Sequence, residues 1–132
     1  MSTLFSKIIA GEIPSYKIYE DEHTYAFLDI FPLTDGHILI VPKCEIDHFS
    51  EVPEPYYSAI FQTAKKLAPA LKKATNCQRV CTIFAGFDVP HCHYHLIATN
   101  SMDDLRKQTK DTPEDEKKLT EIQQKIISFL ET

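Results

Sequence analysis

Val89-Pro90-His91-Cys92-His93-Tyr94-His95-Leu96-Ile97 is the stretch on which the reading of this chain turns. Three of the six histidines fall here, with one residue between each pair. On a β-strand, successive side chains point to opposite faces, so positions 91, 93 and 95 share one side and Cys92, Tyr94 and Leu96 the other. The second set suits a core. The first does not, because a buried imidazole carries polar nitrogens that need partners. Three uses are open to such a row: histidines satisfied by internal hydrogen bonds, a metal site, or nucleophilic catalysis. A single ion is awkward, since the outer two positions lie about 13 Å apart on the usual strand rise, while zinc sits about 2 Å from each nitrogen. An imidazole whose other nitrogen is held by an acceptor can attack phosphorus. Flanking histidines can then orient oxygens and protonate the leaving group. Gly86 and Pro90, just upstream, could turn backbone N–H groups toward an anion.

Outward from this row the periodicity alternates between two and 3.6. Residues 79–84 and 92–98 read as the fourth and fifth strands. Before them, residues 53–74 are helical, with Ala59, Ile60, Ala64, Leu67 and Leu71 as the apolar stripe and Lys65, Lys66, Lys72 and Lys73 as the wet face. Pro69 lies inside that helix and is expected to kink or interrupt it. Further upstream, residues 16–20 and 24–30 form two strands joined through Asp21-Glu22-His23, and residues 37–42 a strongly apolar third. Residues 3–10 make a short helix ended by Gly11. Downstream, Thr112-Pro113-Glu114-Asp115 supplies a cap, an N1 proline and an acidic first turn for a final helix. Its stripe of Leu119, Ile122, Ile126 and Leu130 is expected to dock on the body or on a second subunit. Short loops between strands favour antiparallel pairing, so the expected class is α+β: a five-stranded antiparallel sheet, a long central helix and short terminal helices, with the helices on one side.

A chain of 132 residues supports one compact domain. Residues 1–105 are expected to form its body and residues 106–132 a helical extension. A net charge of −5 argues against a protein that wraps a nucleic acid. No run approaches the roughly 18 apolar residues of a membrane span, and the first residues lack the pattern of a secretion signal, so a cytoplasmic location is expected. In that compartment Cys44, Cys77, Cys81 and Cys92 stay as thiols. Cys77 and Cys81, four apart, could serve as a metal pair, but buried structural thiols are the expectation.

The row at 91–97 resembles the signature of the histidine triad (HIT) family, His-φ-His-φ-His-φ-φ with φ hydrophobic. Three further blocks resemble the family's Hint-like branch in the same order. They are Phe5-Ser6-Lys7-Ile8-Ile9-Ala10-Gly11-Glu12-Ile13-Pro14, Ala26-Phe27-Leu28-Asp29-Ile30-Phe31-Pro32, and Gly36-His37-Ile38-Leu39-Ile40-Val41-Pro42-Lys43. The resemblance implies the HIT-like α+β fold, a homodimer and a purine-nucleotide pocket. It also implies hydrolysis or transfer at the α-phosphate through a covalent nucleotidyl-histidine. By motif position His93 is the nucleophile. His91 fixes its ring, partly through the backbone carbonyl, and His95 meets phosphate oxygens or the leaving group. Asp29 accepts from ribose hydroxyls, Leu28 and Ile30 flank the sugar, and Leu4, Phe5 and Ile8 form the base slot.

Two features depart from the pattern. Thr3-Leu4-Phe5-Ser6 lacks the Cys-x-x-Cys of zinc-carrying relatives, and Pro42-Lys43 is followed by Cys44-Glu45 where a histidine is frequent, so no metal and no cofactor are expected. The loop before the triad is short, with Phe87 where a Gln is usual in the family and Asp88 where a Ser or Thr often touches phosphate. A carboxylate there repels phosphate. The expectation is a hydrolase acting on purine nucleoside 5′-phosphoramidates or related conjugates, with no nucleic-acid or membrane partner. The rivals are a dinucleoside polyphosphate hydrolase on the same histidines, a non-catalytic nucleotide- or partner-binding module, and metal storage.

Overall fold

The computed structural model describes residues 2–131. The elements run α1 (Leu4–Ile9), β1 (Lys17–Glu20), β2 (Thr24–Leu28), β3 (His37–Pro42), α2 (Tyr56–Thr75), β4 (Arg79–Phe84), β5 (Tyr94–Thr99) and α3 (Glu116–Leu130). The five strands pair antiparallel throughout in the order β1-β2-β3-β5-β4, so β5 returns from the β4 edge to fill the gap beside β3. The central strand β3 is buried at every position, as its unbroken apolar sequence requires.

Strand parity divides the molecule into two cores. On one face Ala26, Leu28, Ile38, Ile40, Leu96 and Ala98 meet the α2 stripe of Ile60, Ala64, Leu67 and Leu71. On the other, Tyr25, Phe27, Leu39 and Val41 meet Phe5 and Ile8 of α1. The helices therefore lie on both faces, α1 alone on the second, where a one-sided arrangement was expected. The reason is that β2 and β3 are apolar at odd and even positions alike, so both sides need cover.

α3 rests on α2 and β1 through buried Leu119 and Ile126, each contributing about 2 kcal/mol by removal from water. Gln123 Nε2 donates to the Lys17 carbonyl at 2.9 Å, and Lys118 pairs with Asp35 at 2.9 Å. The α3 cap is Asp115, which accepts from Lys118 N–H. Thr112 and Pro113, expected as cap and first residue, stand before it. α2 runs through Pro69 without interruption. Pro69 and Lys65 are both exposed, so the carbonyl that loses its N–H partner there faces water. β2 ends at Leu28 and β5 begins at Tyr94, both shorter than expected. All four cysteines are free thiols, with Cys77 and Cys92 buried. Among the described residues no helix is long and apolar enough to cross a membrane.

Candidate active site

Odd parity carries the site. Phe27 pairs with Leu39, Leu39 pairs with His95, and His37 and Asp29 continue the same face of β3 and β2. His91, Cys92 and His93 precede β5 rather than lying on it, in contrast to the regular strand expected across the row. The chain there is held by other bonds: Cys92 N–H donates to the Ile46 carbonyl at 2.7 Å, and His91 N–H to the Val89 carbonyl at 2.8 Å. Cys92 and Leu96 enter the α2-side core, with Tyr94 packed against it. The three imidazoles still face one side, because the Phe5 ring stands edge-on to both His91 (5.8 Å) and His93 (5.0 Å), and His93 lies 5.2 Å from His95.

Carbonyl oxygens only accept, which settles the protons on these rings. His91 Nε2–H donates to the Pro42 carbonyl at 2.8 Å, leaving Nδ1 to accept from the Thr3 hydroxyl at 2.8 Å. His93 Nδ1–H donates to the His91 carbonyl at 2.8 Å, so Nε2 is the nitrogen left facing the cleft. His95 Nε2–H donates to the Ala85 carbonyl, so Nδ1 accepts. Its donor is His37 Nε2–H at 2.8 Å, and His37 Nδ1 accepts from Leu33 N–H at 3.1 Å. A single-direction chain therefore runs Leu33, His37, His95, Ala85.

His37 was not among the site residues expected from sequence. It is 3% exposed, and burial, followed by the neighbouring His95 and His93, pushes its pKa down to about 3. Burial also lowers His91 and His95, opposed by the carbonyls that accept their protons. Asp29 Oδ1 accepts from Phe31 N–H at 2.9 Å, and Oδ2 lies 3.7 Å from His37 Nε2. Burial raises the Asp29 pKa, with the Phe31 N–H and then His93 pulling the other way. One ligand atom each from Asp29, His37 and His95 lies within 4.8 Å of the others, a spacing a cation could span. Here His37 Nε2 and His95 Nδ1 are already engaged with each other.

Asp29, His93 and His95 border a cleft of about 570 Å³. Leu4, Phe5 and Ile8 of α1 wall one side, Asp29 and Ile30 another, and the 85–89 loop with Asp88 a third. His93 and His95 reach the cleft, and His91 stands buried behind them. Leu28, expected beside a sugar, is 2% exposed and belongs to the α2-side core, touching the cleft only as part of its wall. Gly86 packs directly against the His93 ring: a Cβ there would lie 2.2 Å from Nε2. Thr109 and Lys110, from the segment before α3, also reach the cleft and carried no signal in the sequence beyond polarity.

A two-cored antiparallel sheet with a row of tautomer-fixed imidazoles over an apolar cleft defines a histidine-row α+β domain. The HIT domain family profile matches residues 10–102, and the chain belongs to that family. It is 42% identical over 102 residues to a HIT-like protein of Methanocaldococcus jannaschii, covering 71% of this chain and 76% of that one. It is 41% identical over 95 residues to adenosine 5′-monophosphoramidase HNT1 of Saccharomyces cerevisiae, spanning 71% of this chain but only 60% of the yeast protein. A Hit-like protein of Bartonella henselae of solved structure superposes with a TM-score of 0.82 at 26% identity, covering 96% of this chain and 95% of that one.

Proposed function

We propose that this chain is a nucleotide hydrolase or nucleotidyl transferase that cleaves at the α-phosphate of purine nucleoside 5′-phosphoramidates. The observation that carries the reading is the His93 ring: its Nδ1 proton is committed to the His91 carbonyl, so the Nε2 lone pair is directed into the cleft. The 41% identity to a yeast adenosine 5′-monophosphoramidase supports the same chemistry. In the first step His93 Nε2 bonds to phosphorus as the P–N bond breaks. The departing nitrogen takes the bond electrons and a proton from solvent, while His95 Nε2–H turns from the Ala85 carbonyl to a phosphate oxygen. His37 Nε2–H, hydrogen-bonded to His95 Nδ1, keeps that ring oriented through the transfer. In the second step water attacks phosphorus, loses its proton to solvent and breaks the bond to His93, releasing the nucleoside monophosphate. Asp29 serves as acceptor for ribose hydroxyls, Ile30 and the cleft wall at Leu28 flank the sugar, and Leu4, Phe5 and Ile8 hold the base.

The working unit is a homodimer. In support, β4 is an edge strand with Ile83 half exposed, and Phe49, Phe61 and Phe84 form an aromatic cluster beside it. Four unpaired thiols suit a reducing, cytoplasmic compartment.

Incubation with adenosine 5′-phosphoramidate should release AMP and, on rapid quench, yield an adenylylated protein by intact mass. His93→Ala should lose both while still binding AMP. Turnover by that variant near the parent rate would refute the assignment of the nucleophile, and absence of any adduct or AMP from the parent chain would refute the reading as a whole.

A further inference from the structure

The loop beside the His93 ring carries two side chains with no internal role. Phe87 is fully exposed, and the Asp88 side chain has no hydrogen-bonding or ion-pair partner among the described residues. Both line the cleft together with His93, and Gly86, next to them in sequence, packs its backbone against Nε2. For in-line displacement, phosphorus must sit in front of Nε2 and the leaving group beyond phosphorus. The 85–89 loop lines the cleft beside that volume and therefore borders the departing group.

The charge around this volume is one-sided. Asp29 and Asp88 contribute carboxylates, and Lys110 is the single lysine or arginine lining the cleft among the described residues. Lys110 also stands 3.9 Å from Glu114, which offsets part of its charge. A polyphosphate leaving group would bring several negative charges to a place that holds an unpaired carboxylate. An aromatic face beside a carboxylate is instead a receptor for an ammonium group on an apolar stem, through cation–π contact and ion pairing.

Resting on the hydrolase reading above, we infer that Phe87 and Asp88 select the leaving group, favouring amines that carry a second, cationic ammonium on an aliphatic chain and rejecting polyphosphates. Asp88 attracts the remote ammonium and Phe87 covers its stem. The bond changes are those already given, since the remote ammonium takes no part in them.

The test compares kcat/KM of the full chain for three adenosine phosphoramidates whose amine chains match in length and end in an ammonium, a neutral amide or a carboxylate, with a dinucleoside triphosphate as a fourth substrate. The expected order is ammonium, amide, carboxylate, with the ends separated on the order of tenfold and the dinucleotide slowest. Asp88→Asn should shrink the ammonium-to-carboxylate ratio toward unity, and Phe87→Ala should lower the ammonium and amide substrates together. Equal rates on the three phosphoramidates, or a ratio unchanged in Asp88→Asn, would overturn the inference while leaving the hydrolase reading intact. A dinucleoside triphosphate as the best substrate would also overturn it. No turnover of any of the four would overturn the hydrolase reading and this inference with it.

Discussion

A Cβ on Gly86 would stand 2.2 Å from Nε2 and 2.5 Å from Cε1 of His93, inside van der Waals contact with the attacking atom. Gly86→Ala should therefore slow formation of the covalent adduct by about a hundredfold or more, because small misplacement at a reacting centre has that cost. The measurement is single-turnover quench-flow, and an unaltered rate would show that the loop swings wholly clear. The imidazole row itself was legible, since three histidines at a period of two admit few readings. Of the partners that fix their protons, only the His91 carbonyl was expected, through the family resemblance. His37 opens a strongly apolar strand and carries no mark that separates it from a residue buried for packing, although its odd parity with Asp29 and Leu39 was a usable signal. Thr3 was visible only as a polar residue before a helix, the position of an N-cap. Its second bond, to His91 across 88 residues of chain, depends on how α1 crosses the sheet.

Strands and helices were recovered from periodicity, with errors concentrated at their ends. β3 and β4 match the expected bounds, while β2 stops before Asp29 because Asp29 turns back to accept from Phe31 N–H. The α3 start shifted from Thr112 to Asp115, since either side chain can cap and only packing against α2 chooses between them. Which face α1 would cover was not readable from its own short stripe. Between elements, Gly36, just before β3, leaves no room for a side chain against α2 and β5: a Cβ there would meet Thr75 Cγ2 at 2.7 Å and both Ala98 Cβ and Leu71 Cδ1 at 3.0 Å. Gly36→Ala should destabilise the fold by about 1–3 kcal/mol through overpacking. Urea unfolding would read this as a lower midpoint at constant slope. A midpoint within error of the parent would mean that α2 can move outward freely.

Whole-molecule stability should depend on pH through the buried imidazoles. An unfolded histidine takes up its proton near pH 6.5, whereas folded His37 does so only near 3. Between those values the unfolded chain binds more protons, so stability falls as pH falls, by up to about 1.4 kcal/mol per pH unit from this group. His91 and His95, also lowered, act in the same direction. Asp29, raised, acts in the opposite one and restores some stability once it is protonated. Thermal melts should show a plateau above about pH 6.5 and a decline below it, shallower in His37→Gln; a melting temperature flat from neutrality to pH 5 would contradict this balance. Assembly is the second property of the whole chain. Sedimentation velocity should give twice the chain mass, and Ile83→Glu on the β4 edge should yield folded monomers. A dimer unaffected by that charge would place the contact elsewhere on the surface.

The Thr3 hydroxyl both caps α1, accepting from Ser6 N–H at 3.0 Å, and donates to His91 Nδ1, while Thr3 N–H donates to Glu45. The segment that enters α1 is thus wired into the histidine cluster. Thr3→Val, which keeps the shape and removes the hydroxyl, would register as a change in turnover even though the substitution lies far from the reacting atoms in sequence.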